Sequence, residues 1–239
     1  MSNLDIIQEN NTNLRKCIEK AESLPDASIG SNQTFIQLYE TRVLSNSDIL
    51  SVPNDLCRNW YYLKGLDLPN VSVVGTYCCY GCTNLIEVNM PNCEEIGAYS
   101  FYNNTSLLAI DFPKLTAVQG NCFRQCTSAT SVNLPVCTSL AANAFQKDAL
   151  IEKMDFPMVT SIAATAFDQC SALTTVILRA NQVCTLANVS AFNSTPIKSG
   201  TGYIYVPSSL IASYQSASNW STYSAQFRAI EDYPDICGG

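Results

Sequence analysis

The sequence contains no histidine. That absence removes the usual general base, the commonest nitrogen metal ligand and the simplest pH switch together. No Ser-His-Asp or Cys-His mechanism can be assembled within this chain. Charge is also scarce, at 14% of 239 residues, low for a globular chain. The 13 basic residues are scattered and outnumbered by 20 acidic ones, for a net charge of -7. With no basic stripe, nucleic acid is not an expected partner. No apolar run approaches the roughly 20 residues of a membrane helix, so no span is expected. The N-terminus MSNLDIIQENNTNLRKC lacks a basic segment, a long apolar segment and a small-residue cleavage site, so no signal peptide is expected. Phosphate-loop, dinucleotide, G-x-S-x-G and H-E-x-x-H motifs are missing as well.

What the chain does have is a repeat, and repeats are sought first because they decide the architecture. Pro69, Pro91, Pro113, Pro135 and Pro157 are spaced 22 residues apart. Before each lies one apolar pattern: Leu63, Leu66, Leu68; Leu85, Val88, Met90; Leu107, Ile110, Phe112; Ala129, Val132, Leu134; Ile151, Met154, Phe156. A sixth copy, Leu173, Val176, Leu178, ends in Arg179 instead of proline. The last two apolar positions alternate with period two, which predicts a short strand. Proline then ends the pairing because it has no N–H to donate. Further apolar slots follow, at Val71, Cys93, Leu115, Cys137 and Val159, and at Val74, Ile96, Val118, Leu140 and Ile162. Ten residues after proline comes Cys79, Phe101, Phe123, Phe145 or Phe167, the anchor of a bend back to the next strand.

One such unit cannot bury its own apolar groups, whereas stacked units can, with a parallel sheet along one face. At about 4.8 Å per rung, six or seven rungs make a rod roughly 30 Å long. The expectation is a right-handed solenoid of 22-residue repeats over residues 47–207, with 47–68 as a degenerate first rung and YIYVP, Tyr203–Pro207, as the last strand. Residues 1–46 are expected to form a helical N-terminal cap or leader. Residues 208–239 are expected to form a helical C-terminal cap and tail. Ser208 and Ser209 would be N-caps, Leu210, Ile211, Tyr214 and Ala217 an apolar stripe, and a second helix would start near Trp220 and carry Tyr223, Phe227 and Ile230.

A double period of 44 residues overlies the repeat. Two residues before proline the sequence reads Asp67, Asn89, Asp111, Asn133, Asp155. Phe112 and Phe156 occupy the next slot in alternate rungs, and Cys93 and Cys137 fall in the others, so large and small side chains should interdigitate. The Asp/Asn row faces outward on the predicted sheet. Adjacent aspartates would repel by about 1 kcal/mol in water, and alternation with asparagine relieves this. The row, with its neighbours Glu87, Ser131, Lys153 and Thr175, is the candidate binding face. Tyr203, Tyr205, Tyr214 and Trp220 cluster near the C-terminal cap, either as core or as an aromatic binding patch.

The 12 cysteines suggest metal or disulfides, and Cys79-x-x-Cys82 with Cys78, Cys122 and Cys126 is the best candidate group. It lacks a second C-x-x-C and any histidine. Cys93 and Cys137 share slots with Val71, Leu115 and Val159, so they read as small apolar residues. Cys82, Cys126 and Cys170 are two rungs apart, about 10 Å, beyond disulfide reach. Free buried thiols are expected, and no metal or cofactor.

The unit NLIEVNMPNCEEIGAYSFYNNTSL resembles the repeat of BspA-type leucine-rich-repeat proteins. Ile96-Gly97 and Phe101 match its pattern, as do Phe123, Cys126, Thr127 and Ser128, and Phe167, Cys170 and Ser171. The tail YIYVPSSLIASYQSASNWSTYSAQFRAI is similar to the family's closing segment, so the resemblance covers about residues 63–232. It implies a leucine-rich-repeat solenoid, a cell-surface or secreted location, and adhesion or binding of a protein or glycan, without catalysis. The polar N-terminal segment resembles leading segments of phage-tail-like proteins, which implies an alternative structural or receptor-binding role in a particle. A carbohydrate-active enzyme using carboxylates on the sheet is the third reading.

Overall fold

The computed structural model describes residues 42–45 and 47–238. The expected N-terminal helix lies outside them. Strands are numbered along the chain. The main ladder is built of β1 (Val43–Ser45), β3 (Gly65–Asp67), β5 (Glu87–Asn89), β7 (Ala109–Asp111), β9 (Ser131–Asn133), β11 (Lys153–Phe156), β13 (Thr175–Leu178), β15 (Tyr203–Val206) and β16 (Phe227–Ala229). It comprises three parallel sheets, β1-β3-β5, β7-β9 and β11-β13-β15-β16, and within them, from β1 to β13, each residue pairs with the one 22 positions on, as Leu66 does with Val88. The repeat period is thus the register of the sheet. The fold is a leucine-rich-repeat solenoid.

A second ladder was not expected. Two-residue strands β2 (Ser51–Val52), β4 (Val73–Val74), β6 (Glu95–Ile96), β8 (Ala117–Val118), β10 (Ser139–Leu140), β12 (Ser161–Ile162) and β14 (Thr185–Leu186) run parallel on another side of each coil. Each places one side chain inward: Val52, Val74, Ile96, Val118, Leu140, Ile162, Leu186. At Gly75 and Gly97 successive coils touch, and a Cβ there would lie 2.5 Å from the backbone nitrogen of Asn54 or Thr76.

Between the ladders the chain turns twice through left-handed backbone. The first position is Asp55, Tyr77, Tyr99, Asn121, Asn143 and Thr165, with φ between 56° and 61°. The second is Asn59, Gly81, Asn103, Gln125, Lys147 and Gln169. Side chains other than Gly, Asn and Asp pay roughly 1 kcal/mol or more for this conformation. Backbone bonds to the next coil offset it: Tyr77 N–H donates to Ala98 at 3.1 Å and Asn59 N–H to Tyr80 at 2.7 Å.

The core runs the length of the rod. Phe101, Phe123, Phe145, Phe167 and Phe192 stack with centroids 5.6, 5.8, 6.0 and 5.1 Å apart. Phe112 wedges between Phe101 and Phe123, and Phe156 between Phe145 and Phe167. The alternate rungs carry Met90 and Leu134 in that slot and the small Cys93 and Cys137 where the Phe rungs have Leu115 and Val159, so large and small residues do interdigitate.

The C-terminal region departs from expectation. Tyr203–Val206 is not the last strand, because Phe227–Ala229 adds one more. Phe227 therefore lies on a strand, not on a helix. Trp220–Gln226 is a 3-10 run kinked at Tyr223. Ser208 and Ser209 lie inside a 3-10 turn and neither caps by its side chain. Instead the Glu231 carboxylate accepts from the Ser208 N–H at 3.0 Å. Tyr214, Trp220 and Tyr223 are buried against Phe192 and Phe227. Their polar ends reach backbone: Tyr214 Oη accepts from Cys184 N–H at 2.9 Å, and Trp220 Nε1 donates to the Cys184 carbonyl at 2.5 Å. They close the core, and the aromatic-patch reading fails for Tyr214 and Trp220.

Candidate functional site: the outward face of the main ladder

Alternation along each three-residue strand sends its middle residue inward and its flanking residues outward. Leu66, Ile110 and Met154 go to the core. Two outward rows result. One holds Glu87, Ala109, Ser131, Lys153 and Thr175, and the other Asp67, Asn89, Asp111, Asn133 and Asp155. All nine candidate residues thus lie on one face. Glu87, Asn89, Asp111, Ser131, Asn133 and Lys153 are exposed, and Asp67, Asp155 and Thr175 are half-buried.

The Asp/Asn row is internally bonded. Asn89 Nδ2 donates to Asp67 at 2.7 Å and Asn133 Nδ2 to Asp111 at 2.8 Å. Ser45 Oγ donates to the other Asp67 oxygen at 2.9 Å. The third aspartate takes a different donor: the Arg179 guanidinium clamps Asp155 through three contacts, at 2.8, 3.1 and 2.7 Å. Arg179, the residue that replaces the repeat's proline, was not among the sequence-based candidates. Its signal was that replacement.

Beyond Asp155 the face turns apolar and is covered. Ile177 and Tyr205 continue the row, and Cys237 buries itself against them. Tyr233 meets Tyr205 edge to face at 5.4 Å. Lys153 Nζ donates to the Ile236 carbonyl and Arg179 to that of Cys237. The tail therefore lies on one end of the face, held by its backbone carbonyls. Next to it opens a shallow cavity of 480 Å³, lined by Thr130, Ser131, Leu150, Glu152, Lys153 and Asp155 among others. Leu150 and Leu108 are each about half exposed and Ile86 is 40% exposed, so apolar side chains flank the polar rows.

Thiol chemistry is not prepared anywhere in the described core. All eleven cysteines there are buried. Burial pushes the Cys93 and Cys184 thiols up to about 12 and raises Cys122, Cys126 and Cys170 well above the ordinary range, opposite to what a nucleophile needs. Cys82, Cys126 and Cys170 each donate to a carbonyl of the preceding coil: Cys57, Phe101 and Phe145, at 3.0, 3.3 and 3.0 Å. Among the described residues no His/Cys/Asp/Glu group has the geometry to hold a metal ion, and no helix is long and apolar enough to cross a membrane.

Comparison with known proteins places this architecture. The chain is similar in structure to a leucine-rich-repeat protein of Treponema pallidum, with 20% identity, TM-score 0.53, and coverage of 72% of this chain and 79% of that one. It is similar to a leucine-rich-repeat protein of Bacteroides ovatus, with 16% identity, TM-score 0.55, and coverage of 77% and 54%. A leucine-rich cell surface protein of Faecalibacterium prausnitzii aligns at 19% identity and TM-score 0.45 over 67% of this chain and 59% of its own. The chain thus spans little more than half the length of two of these three. No curated protein matches it. A model of the BspA-type leucine-rich repeat region matches six copies, over residues 50–174 and 94–221. The chain belongs to the BspA-type leucine-rich-repeat family.

Proposed function

We propose that this chain is a non-catalytic binding module, and that the outward face of the main ladder between Glu87 and Lys153 receives an extended segment of a partner protein. The observation that carries the reading is the tail. Lys153 and Arg179 already donate to main-chain carbonyls of Ile236 and Cys237 on this face. A face that holds one backbone by its carbonyls is built to hold another. The open cavity beside the tail offers the same Lys153, a hydroxyl at Ser131 and an apolar wall at Leu150. Apolar flanks around a polar strip supply both affinity and register. Variation along the row, from Glu87 through Ala109 and Ser131 to Lys153, is how a solenoid differentiates its face.

The test compares the intact chain with Ser131→Arg and Leu150→Asp in capture of host extracellular-matrix proteins on a sensor surface. Both substitutions are at exposed positions, so folding is retained. Binding of one defined matrix protein, lost in both variants, is the expected result. Equal capture by all three removes this face from the function.

A further inference from the structure

Four tyrosines stand together on the turns that follow β4 and β6. Tyr77 and Tyr99 stack at 4.9 Å with planes 9° apart, and Tyr80 and Tyr102 at 4.8 Å with planes 4° apart. Tilted contacts of 5.7 and 5.9 Å join the two columns into one block. From the preceding coil Arg58 lies over Tyr77 at 4.7 Å and over Tyr80 at 5.3 Å. From the following coil Arg124 lies over Tyr102 at 5.5 Å. The four rings are half-buried, and none belongs to the hydrophobic core.

The fold does not ask for tyrosine here. Tyr77 and Tyr99 occupy the first left-handed position, at φ 56° and 61°. Other coils place Asp55, Asn121, Asn143 and Thr165 there. Aspartate and asparagine tolerate that backbone and a bulky aromatic does not. Three residues on, the other coils carry Arg58, Arg124, Gln146 and Asp168. Tyrosine thus fills both slots in the same two adjacent coils, at a local cost and with no core to pack. The rings pack only on one another and on the two arginines, outside the core, and residues that break a local rule at the surface point to function.

We infer that this block is a docking surface for an acidic polypeptide segment, separate from the ladder face. The inner ring faces lie on one another, and three outer faces are covered by guanidinium groups. A sugar ring, which stacks on an aromatic face, finds little to use. What remains is ring edges, the positive side of the aromatic quadrupole, with phenol hydroxyls and guanidinium N–H groups. All of these call for acceptors. Asp55 fixes Arg58 at 2.9 Å and Asn121 fixes Arg124 at 3.2 Å, while Arg124 Nε is buried without a partner. Asp55 offsets Arg58, so on a chain of net charge -7 the block keeps the positive charge of Arg124, which only the neutral Asn121 holds. Tyrosine and arginine are also the residues that dominate binding hot spots. Carboxylates of aspartate and glutamate are their complement.

The test uses the intact chain, a fluorescein-labelled oligoglutamate peptide and fluorescence anisotropy. The variant Tyr77→Asn/Tyr99→Asn/Tyr80→Gln/Tyr102→Gln takes its residues from neighbouring coils, so it folds. The expected result is salt-sensitive binding that weakens at least about tenfold in this variant and in Arg58→Gln/Arg124→Gln. Equal binding by the tyrosine variant, or no binding by the parent, overturns the inference. So does preference for a sulfated oligosaccharide over the peptide, which would make the block a glycan site.

Discussion

Asn133 donates its side-chain amide to the Asp111 carboxylate of the preceding coil at 2.8 Å. Asn89 does the same to Asp67 at 2.7 Å. The 44-residue period of the sequence is therefore a donor–acceptor alternation along the sheet. Replacing the donor by a second acceptor should break it. We predict that Asn133→Asp loses about 1 kcal/mol at low salt and regains most of it in concentrated salt. Urea denaturation at two ionic strengths measures this, and a salt-independent loss would mean that the amide bond, not charge repulsion, is what matters.

Asp148 is fully buried, accepts from the Cys126 N–H at 2.8 Å and leaves its other oxygen unpartnered. Burial raises its carboxyl well above the ordinary value of 3.8. The folded state thus holds this proton more tightly than the unfolded chain does. Its contribution to stability is complete below the ordinary carboxylate range and is lost as pH rises toward and through the raised folded value. Asp148→Asn removes the titration, and Asn104 holds the equivalent place in another coil. The melting temperature of the variant should gain on the parent steadily from acid to neutral pH. Parallel pH profiles for the two proteins would be the contrary outcome.

Asn104 has the same slot but a different fault. Its amide nitrogen and oxygen are both buried without partners, whereas Cys82, Cys126 and Cys170 each donate their thiol to a carbonyl from that slot. Asn104→Cys should raise stability by about 1–3 kcal/mol, the cost of leaving such groups unmet. An unchanged or lowered urea midpoint would show that Asn104 finds hydrogen-bond partners after all.

Phe145 lies mid-stack, 5.8 Å from Phe123 and 6.0 Å from Phe167. Phe145→Ala should cost about 3–5 kcal/mol. Because each coil contacts only its neighbours, the loss should also weaken coupling between the two halves of the rod. Differential scanning calorimetry should show a broadened or split transition. A single sharp transition at the parent's melting temperature would refute both expectations.

The sheet register was legible in the sequence because each coil repeats Leu66 or its counterpart every 22 residues. The second ladder was not, since a two-residue strand such as Glu95–Ile96 contains no alternation to read. Phe227 misled for a related reason: its spacing from Tyr223 and Ile230 fits a helix, and only pairing with Ile204 makes it a strand. The Asp/Asn row was legible as a row, but its bonding was not. Whether Asp155 meets an amide or a guanidinium depends on Arg179, which reaches back from the following coil. The tail contacts at Lys153 and Arg179 join residues 83 and 58 positions apart, a distance no local pattern encodes.

Arg179 joins three acceptor oxygens: both of Asp155, and the carbonyl of Cys237. Removing its side chain should release the end of the tail while leaving the core intact, because the guanidinium is partly exposed, with 29% side-chain accessibility. Cys237 is 3% exposed and packs on Ile177 and Tyr205, so a released tail would open it to solvent. We predict that Arg179→Ala makes one thiol react with a disulfide reagent at least about tenfold faster than in the parent, through local opening rather than global unfolding. The fast phase should vanish when Cys237→Ser is added. If it persists in the double variant, another thiol has been exposed and Arg179 is holding the coils together rather than the tail.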